Sequence, residues 1–199
     1  MLFLRINNKE INNKLMIHRQ IIYIFLFVLC TGKLYAQEQL RTKQEKGYFN
    51  VTEFGIYPGS AKINLMGGKL SSSANIRSIR TTNGLFINPN LSLGIGIGLD
   101  GVDTDLFGFY NTFNITADAR YYLKNSRSGF FFYGIVGPSV KIDDNFSDGF
   151  LFNVGAGHKF TLGKSFVLVP GLGFDHQYLK NGLAKYNVES LAIKIGVLF

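Results

Sequence analysis

The sequence predicts an all-β protein, an eight-stranded antiparallel up-and-down transmembrane β-barrel. Three observations carry that expectation. Beyond residue 46, apolar side chains alternate with small or polar ones at a period of two, the spacing that sends neighbours to opposite faces of a strand. Runs of this kind recur along the chain with turn residues between them, and no sustained helical period interrupts them. The minority face is rich in glycine and carries both signs of charge, which suits a cramped polar interior behind a wall that meets hydrocarbon.

The first 36 residues read as a signal peptide that is removed on export. Arg5, Lys9, Lys14 and Arg19 form a basic start, Ile21 to Leu29 an unbroken apolar run, and Leu34-Tyr35-Ala36 a small-residue cleavage point. The run is too short to span a bilayer, which takes about 20 residues. Met16 is a second candidate start and would give a signal of ordinary length. Cys30, the one cysteine, lies inside this segment, so the mature chain has no thiol chemistry. Val28-Leu29 before it lacks the small residue of a lipoprotein cleavage site. Residues 37–46 (QEQLRTKQEK) form a polar lead-in. Five of the 21 Lys/Arg and one of the 13 Asp/Glu fall within residues 1–36, so the formal charge drops from +8 to +4 after cleavage. That mild balance, without a basic cluster, argues against nucleic-acid binding.

The barrel is expected over residues 47–199, with strands near 47–57, 76–88, 91–100, 107–124, 129–142, 149–162, 165–178 and 188–199. In the third, Leu91, Leu93, Ile95, Ile97 and Leu99 oppose Ser92, Gly94, Gly96 and Gly98. In the fourth, Phe113, Ile115, Ala117, Ala119 and Tyr121 oppose Asn114, Thr116, Asp118, Arg120 and Tyr122. The sixth sets Phe152, Val154, Ala156, His158 and Phe160 against Asn153, Gly155, Gly157 and Lys159. The seventh sets Phe166, Leu168, Pro170, Leu172 and Phe174 against Gly171, Gly173, Asp175 and Gln177, with Val167 and Val169 as intruders. The facing of the first two strands is not legible from their pattern.

Connections are expected to be short at 88–90, 124–128 and 162–164, and longer at 58–75, 100–106, 143–148 and 179–187. Short periplasmic turns alternating with longer outer loops are the habit of membrane barrels. Tyr121, Phe130, Phe131, Phe132, Phe166 and Phe199 are expected at one interfacial rim, and Phe107, Phe109, Phe150, Phe174 and Tyr178 at the other.

The last strand is the most regular. Leu191, Ile193, Ile195, Val197 and Phe199 share one face and Ser190, Ala192, Lys194 and Gly196 the other, with Leu198 the one apolar exception. On this L-x-I-x-I-x-V-x-F ending, the A-D-A-R-Y-Y-L run at 117–123 and L-S-L-G-I-G-I-G-L-D at 91–100, the chain resembles small outer-membrane β-barrel proteins of the OmpX and OmpA-barrel type, in the broad outer membrane protein beta-barrel domain family. The resemblance implies residence in the outer membrane of a two-membrane envelope and contact with its lipid and lipopolysaccharide. It also implies that the barrel-assembly machinery reads the terminal strand through Leu191, Ile193, Ile195, Val197 and Phe199. It implies no particular activity.

The candidate chemistry is weak, and the expectation is a non-enzyme without cofactor or metal. Asp118, Arg120, Lys159, Asp175 and Lys194 project inward and are expected to form a charge network that plugs the lumen, since eight strands leave an interior just filled by side chains. Glu53, Arg77 and Arg80 are possible additions. Gly96 to Gly101 matches G-x-G-x-x-G literally, but no helix opening follows it to hold a pyrophosphate. Asp175 and His176 are adjacent on a strand and point to opposite faces, so they cannot form one dyad; His158 points to lipid. Asp100, Asp103, Asp105, Asp143, Asp144 and Asp148 are read as solvated outer-loop carboxylates, with only a loose likeness to a calcium loop. The resulting expectation is a monomeric structural barrel displaying a surface that binds a ligand or partner protein. The alternatives are a narrow channel for small solutes, a barrel enzyme that modifies lipid A, and a soluble periplasmic barrel.

Overall fold

A computed structural model describes residues 47–65, 68–105, 108–123, 128–142, 148–162, 166–181 and 184–199. The expected signal peptide (1–36) and lead-in (37–46) lie outside the described residues. Eight strands follow one another: β1 (Gly47–Leu65), β2 (Gly68–Asn88), β3 (Leu91–Thr104), β4 (Gly108–Tyr122), β5 (Gly129–Lys141), β6 (Asp148–Leu162), β7 (Phe166–Asn181) and β8 (Ala184–Leu198). Each is antiparallel to the next, and β8 pairs back with β1 to close the barrel. Closure is what a sheet in hydrocarbon requires, because an open edge would leave peptide groups without partners or water.

The expected alternation of short and long connections is not observed. The strands are separated by residues 66–67, 89–90, 105–107, 123–128, 142–147, 163–165 and 182–183, because several stretches expected as outer loops continue as ladder. The change is largest at 58–75, where pairing runs from Pro58↔Asn75 to Leu65↔Gly68. Ala61, Ile63 and Ala74 keep the inward parity there and are buried, so continuing the strand covers apolar surface that a loop would expose.

Three seams lose register contacts at a proline. The β1–β8 pairing skips from Ile56↔Ile193 to Gly59↔Ser190 around Pro58. The β4–β5 pairing skips from Asn114↔Ser139 to Ala117↔Val136 around Pro138, and the β6–β7 pairing from Gly157↔Gly171 to Phe160↔Leu168 around Pro170. A proline has no N–H to give to the ladder.

The outward face is the apolar one. Phe54, Ile56, Leu93, Ile95, Ile97, Leu99, Ile115, Leu172, Leu191, Ile193 and Ile195 are all exposed. Such a belt is untenable in water and natural in lipid. Of the expected rim aromatics, Tyr121, Phe130, Phe132, Phe166 and Phe199 are exposed at one end, and Phe109, Phe150 and Phe174 at the other. Phe131 is a correction: it is buried in the lumen, because it sits between outward Phe130 and Phe132 on one strand. Phe107 lies outside the described residues.

Candidate functional site in the barrel lumen

The interior is stratified. At the end where residues 89–90 and 123–128 connect strands, Phe49, Val51, Tyr122, Phe131, Tyr133, Ile135, Val169 and Leu198 pack together, with Phe86 and Val167 against them. Toward the opposite end, Tyr57, Ala61, Ala74, Ile76, Val102, Tyr110, Leu179, Val188 and Ala192 form a second apolar layer. The apparent exceptions to alternation therefore have a place: Val167, Val169 and Leu198 are inward residues of the first layer.

Between the layers lies a band of buried charge. All five residues expected in the lumen, Asp118, Arg120, Lys159, Asp175 and Lys194, are buried, four of them in this band and Lys159 at the level of the first apolar layer. The structure joins only some of them. Arg120 donates Nε to Asp118 Oδ1 at 3.0 Å and Nη2 to Asp118 Oδ2 at 2.8 Å. The same Nη2 also donates to Glu53 Oε2 at 2.9 Å. Lys194 Nζ lies 3.5 Å from Glu53 Oε1 and 3.6 Å from the centroid of the Tyr133 ring. Lys159 Nζ lies 4.9 Å from the centroid of the Tyr122 ring. Asp175 accepts from Asn153 Nδ2 at 2.7 Å.

Glu53 and Arg80 belong to this band, whereas Arg77 is on the outward face. Asp100 is a correction to the loop reading. It is an inward residue of β3, buried, with Arg80 Nη2 at 3.7 Å, and it accepts from Ser78 Oγ at 2.5 Å and from Asn114 Nδ2 and Gln177 Nε2 at 2.8 Å each. The parity of β3 had the signal: Asp100 continues the Ser92, Gly94, Gly96, Gly98 face. Among the described residues the buried charged set is Glu53, Asp100, Asp118 and Asp175 against Arg80, Arg120, Lys159 and Lys194, which cancels formally.

Glycines make room for this crowd. A Cβ on Gly96 would come 2.7 Å from both Thr82 Oγ1 and Thr116 Oγ1, and one on Gly98 3.1 Å from Arg80 Nε. Gly96 to Gly101 lies within β3, which continues to Thr104 with no helix after it, so no cradle for a pyrophosphate exists there.

The remaining expected residues are scattered. Leu191, Ile193, Ile195 and Phe199 are exposed and Val197 half-buried, all on the outward face of β8. His158 sits outward between the rings of Phe130 and Phe160, at centroid distances of 4.6 and 4.2 Å. His176 pairs in register with Glu189, while its neighbour Asp175 is inside. Asp103 and Asp105 are exposed, and Asp105 accepts from Ser73. Asp143 and Asp144 lie outside the described residues, as does the side chain of Asp148. Among the described residues no three His, Cys, Asp or Glu side chains converge on a metal position.

A closed antiparallel eight-strand wall, apolar outside and charged within, defines the class: a small transmembrane β-barrel of the outer-membrane type. One solved structure supports the fold, and two others are weaker matches. Neisserial surface protein A superposes with a TM-score of 0.53 at 19% identity, over 76% of this chain and 97% of that one. The outer membrane protein OprG from Pseudomonas aeruginosa gives 0.49 at 15% identity, over 79% and 98%. Ail, the attachment invasion locus protein of Yersinia pestis, gives 0.45 at 14% identity, over 78% and 100%. No protein-family model and no curated protein matches the chain.

Proposed function

We propose that this chain is an integral outer-membrane protein, exported through residues 1–36, that serves as a plugged structural barrel and presents its protruding sheet to a partner outside. The observation that carries the plug is the filled lumen, a band of buried ionic side chains between two apolar layers. Planar-bilayer recording tests it. A plugged barrel gives no unit conductance, and steady ohmic steps would favour the channel reading.

The binding half of the proposal rests on one edge. Among the described residues, β2 from Gly68 to Ser73 pairs only with β1, because its pairing with β3 begins at Ala74↔Thr104. An unpaired edge is a template for an added strand. Side by side on an antiparallel strand, one residue points its N–H to one neighbour and the next to the other. Ser71→Pro and Ser72→Pro therefore separate the two sides: one removes a donor from the free edge, the other a bond to β1. Partner binding lost in one variant with the fold intact supports edge recognition; binding kept in both sinks it.

Residence in the membrane has its own test. The protein is expected in the membrane fraction, with a gel mobility that changes on heating. The geometry supports the non-enzymatic reading in that neither His158 nor His176 faces a carboxylate inside a cavity.

A further inference from the structure

The β6–β8 side of the charged band contains buried oxygens without a hydrogen-bond partner. Asn153, Asp175 and Ser190 stand opposite one another on β6, β7 and β8, and Gln177 lies two residues along the same face of β7. Asn114 reaches the cluster from β4, because it shares Asp100 Oδ2 with Gln177. The three amides spend their NH2 ends on carboxylates: Asn114 and Gln177 on Asp100, Asn153 on Asp175. Their carbonyl ends, Asn114 Oδ1, Asn153 Oδ1 and Gln177 Oε1, have no hydrogen-bond partner, and neither do Asp175 Oδ2 and Ser190 Oγ. Each of these residues is at most 3% exposed.

Charge makes the demand specific. Asp100 has Arg80 beside it, and Glu53 and Asp118 have Arg120, with Lys194 also on Glu53. Asp175 makes no salt bridge among the described residues. The formal balance of the lumen counts Lys159 against it, but Lys159 is six residues along β6 from Asn153, the residue that holds Asp175. Six residues of strand cover about 20 Å. Arg80 and Lys194 act on Asp175 only through space, without a direct ion pair. A buried carboxylate with one hydrogen bond and no cation in contact is costly. Amide carbonyl and carboxylate oxygens, with the Ser190 hydroxyl beside them, lie in a band where Glu53, Asp100, Asp118 and Asp175 share Arg80, Arg120 and Lys194 and are one positive charge short. Such a set fits a hard cation of charge one better than a divalent ion.

We propose that this cluster binds one dehydrated alkali cation of sodium size, with Asp175 as the charged ligand and the side-chain oxygens of Asn153, Gln177, Asn114 and Ser190 around it. The site is a structural countercharge inside the plug. It goes beyond the barrel's proposed role and does not depend on conduction or on an outside partner.

The test uses the full barrel folded in zwitterionic detergent, with lithium, sodium, potassium or choline chloride at one ionic strength and one pH. Sodium is expected to raise the unfolding temperature over choline saturably, by about 3 °C. Asp175→Asn, which keeps the shape and removes the charge, is expected to abolish the difference between salts. The 23Na resonance should broaden with the wild-type barrel beyond empty micelles, and lithium should compete. That readout stands even if the variant fails to fold. Equal unfolding temperatures in all four salts, a response that persists in Asp175→Asn, or no excess 23Na broadening would each overturn the site; a response to pH alone would assign a proton to Asp175 instead. A barrel that conducts would refute the plug and leave this result untouched.

Discussion

Arg120 of β4 reaches Glu53 of β1 across the lumen, Nη2 to Oε2 at 2.9 Å, while holding Asp118 of its own strand with the same guanidinium. One cation thus answers two buried carboxylates contributed from two sides of the barrel. Its planar fork of donors suits it to this better than a lysine would.

Arg120→Met should be the most damaging change in the band, because it leaves Glu53 and Asp118 buried with less countercharge. A loss of about 3–5 kcal/mol is expected, read by urea unfolding in lipid vesicles. Glu53→Gln added to Arg120→Met should recover part of it. A double variant as unstable as the sum of the two single ones would show that the pair is not coupled.

Lys194→Met should cost less than Arg120→Met. Glu53 keeps its hydrogen bond from Arg120, and what is lost is the 3.5 Å ion pair and the cation held over the Tyr133 ring. The expected loss is about 1–2 kcal/mol. The same unfolding assay ranks the two, and a reversed order would contradict the assignment of Arg120 as the hub.

Glycine at 137 is a steric requirement of the β4–β5 seam. A Cβ there would run into the Ile115 carbonyl oxygen and lie 2.8 Å from Thr116 Cα, both backbone and unable to swing aside. At Gly171 the nearest atoms are 3.5 Å away. Gly137→Ala is therefore expected to destabilise by about 1–3 kcal/mol and Gly171→Ala hardly at all.

Ile193→Lys puts a charge on the exposed lipid face of β8. Insertion into vesicles should weaken by about 2–4 kcal/mol if the residue lies near the bilayer midplane. Comparable folding of wild type and variant would argue that this face does not meet hydrocarbon.

The ion pair between Lys62 Nζ and Glu189 Oε2, 2.7 Å long, is half exposed on the outward side. Lys62→Ala should cost at most about 1 kcal/mol, and less in high salt. This sets a floor against which the buried pairs are judged in one assay.

Much of the architecture was legible because a period of two is written directly into residues such as Leu91–Leu99 and Leu191–Phe199. Parity alone sent Asp118, Arg120, Lys159, Asp175 and Lys194 inward. Where the reading failed, composition overrode parity. Asp100 looked like loop because acidic neighbours follow it, and Phe131 looked like rim because Phe130 and Phe132 flank it. Residues 58–75 looked like loop for their small and polar content, yet a strand paired on its backbone tolerates serine.

By itself the sequence determined which side of the wall each of the regular strands turns to lipid, since alternate side chains along extended backbone cannot share a face. Only the tertiary structure decided who meets whom inside. That depends on how far each strand is staggered against the next as the sheet closes, a quantity no single strand encodes. The stagger brings Arg120 to Glu53, sets Asn153 beside Asp175, and leaves Lys159 beside Tyr122 in the first apolar layer.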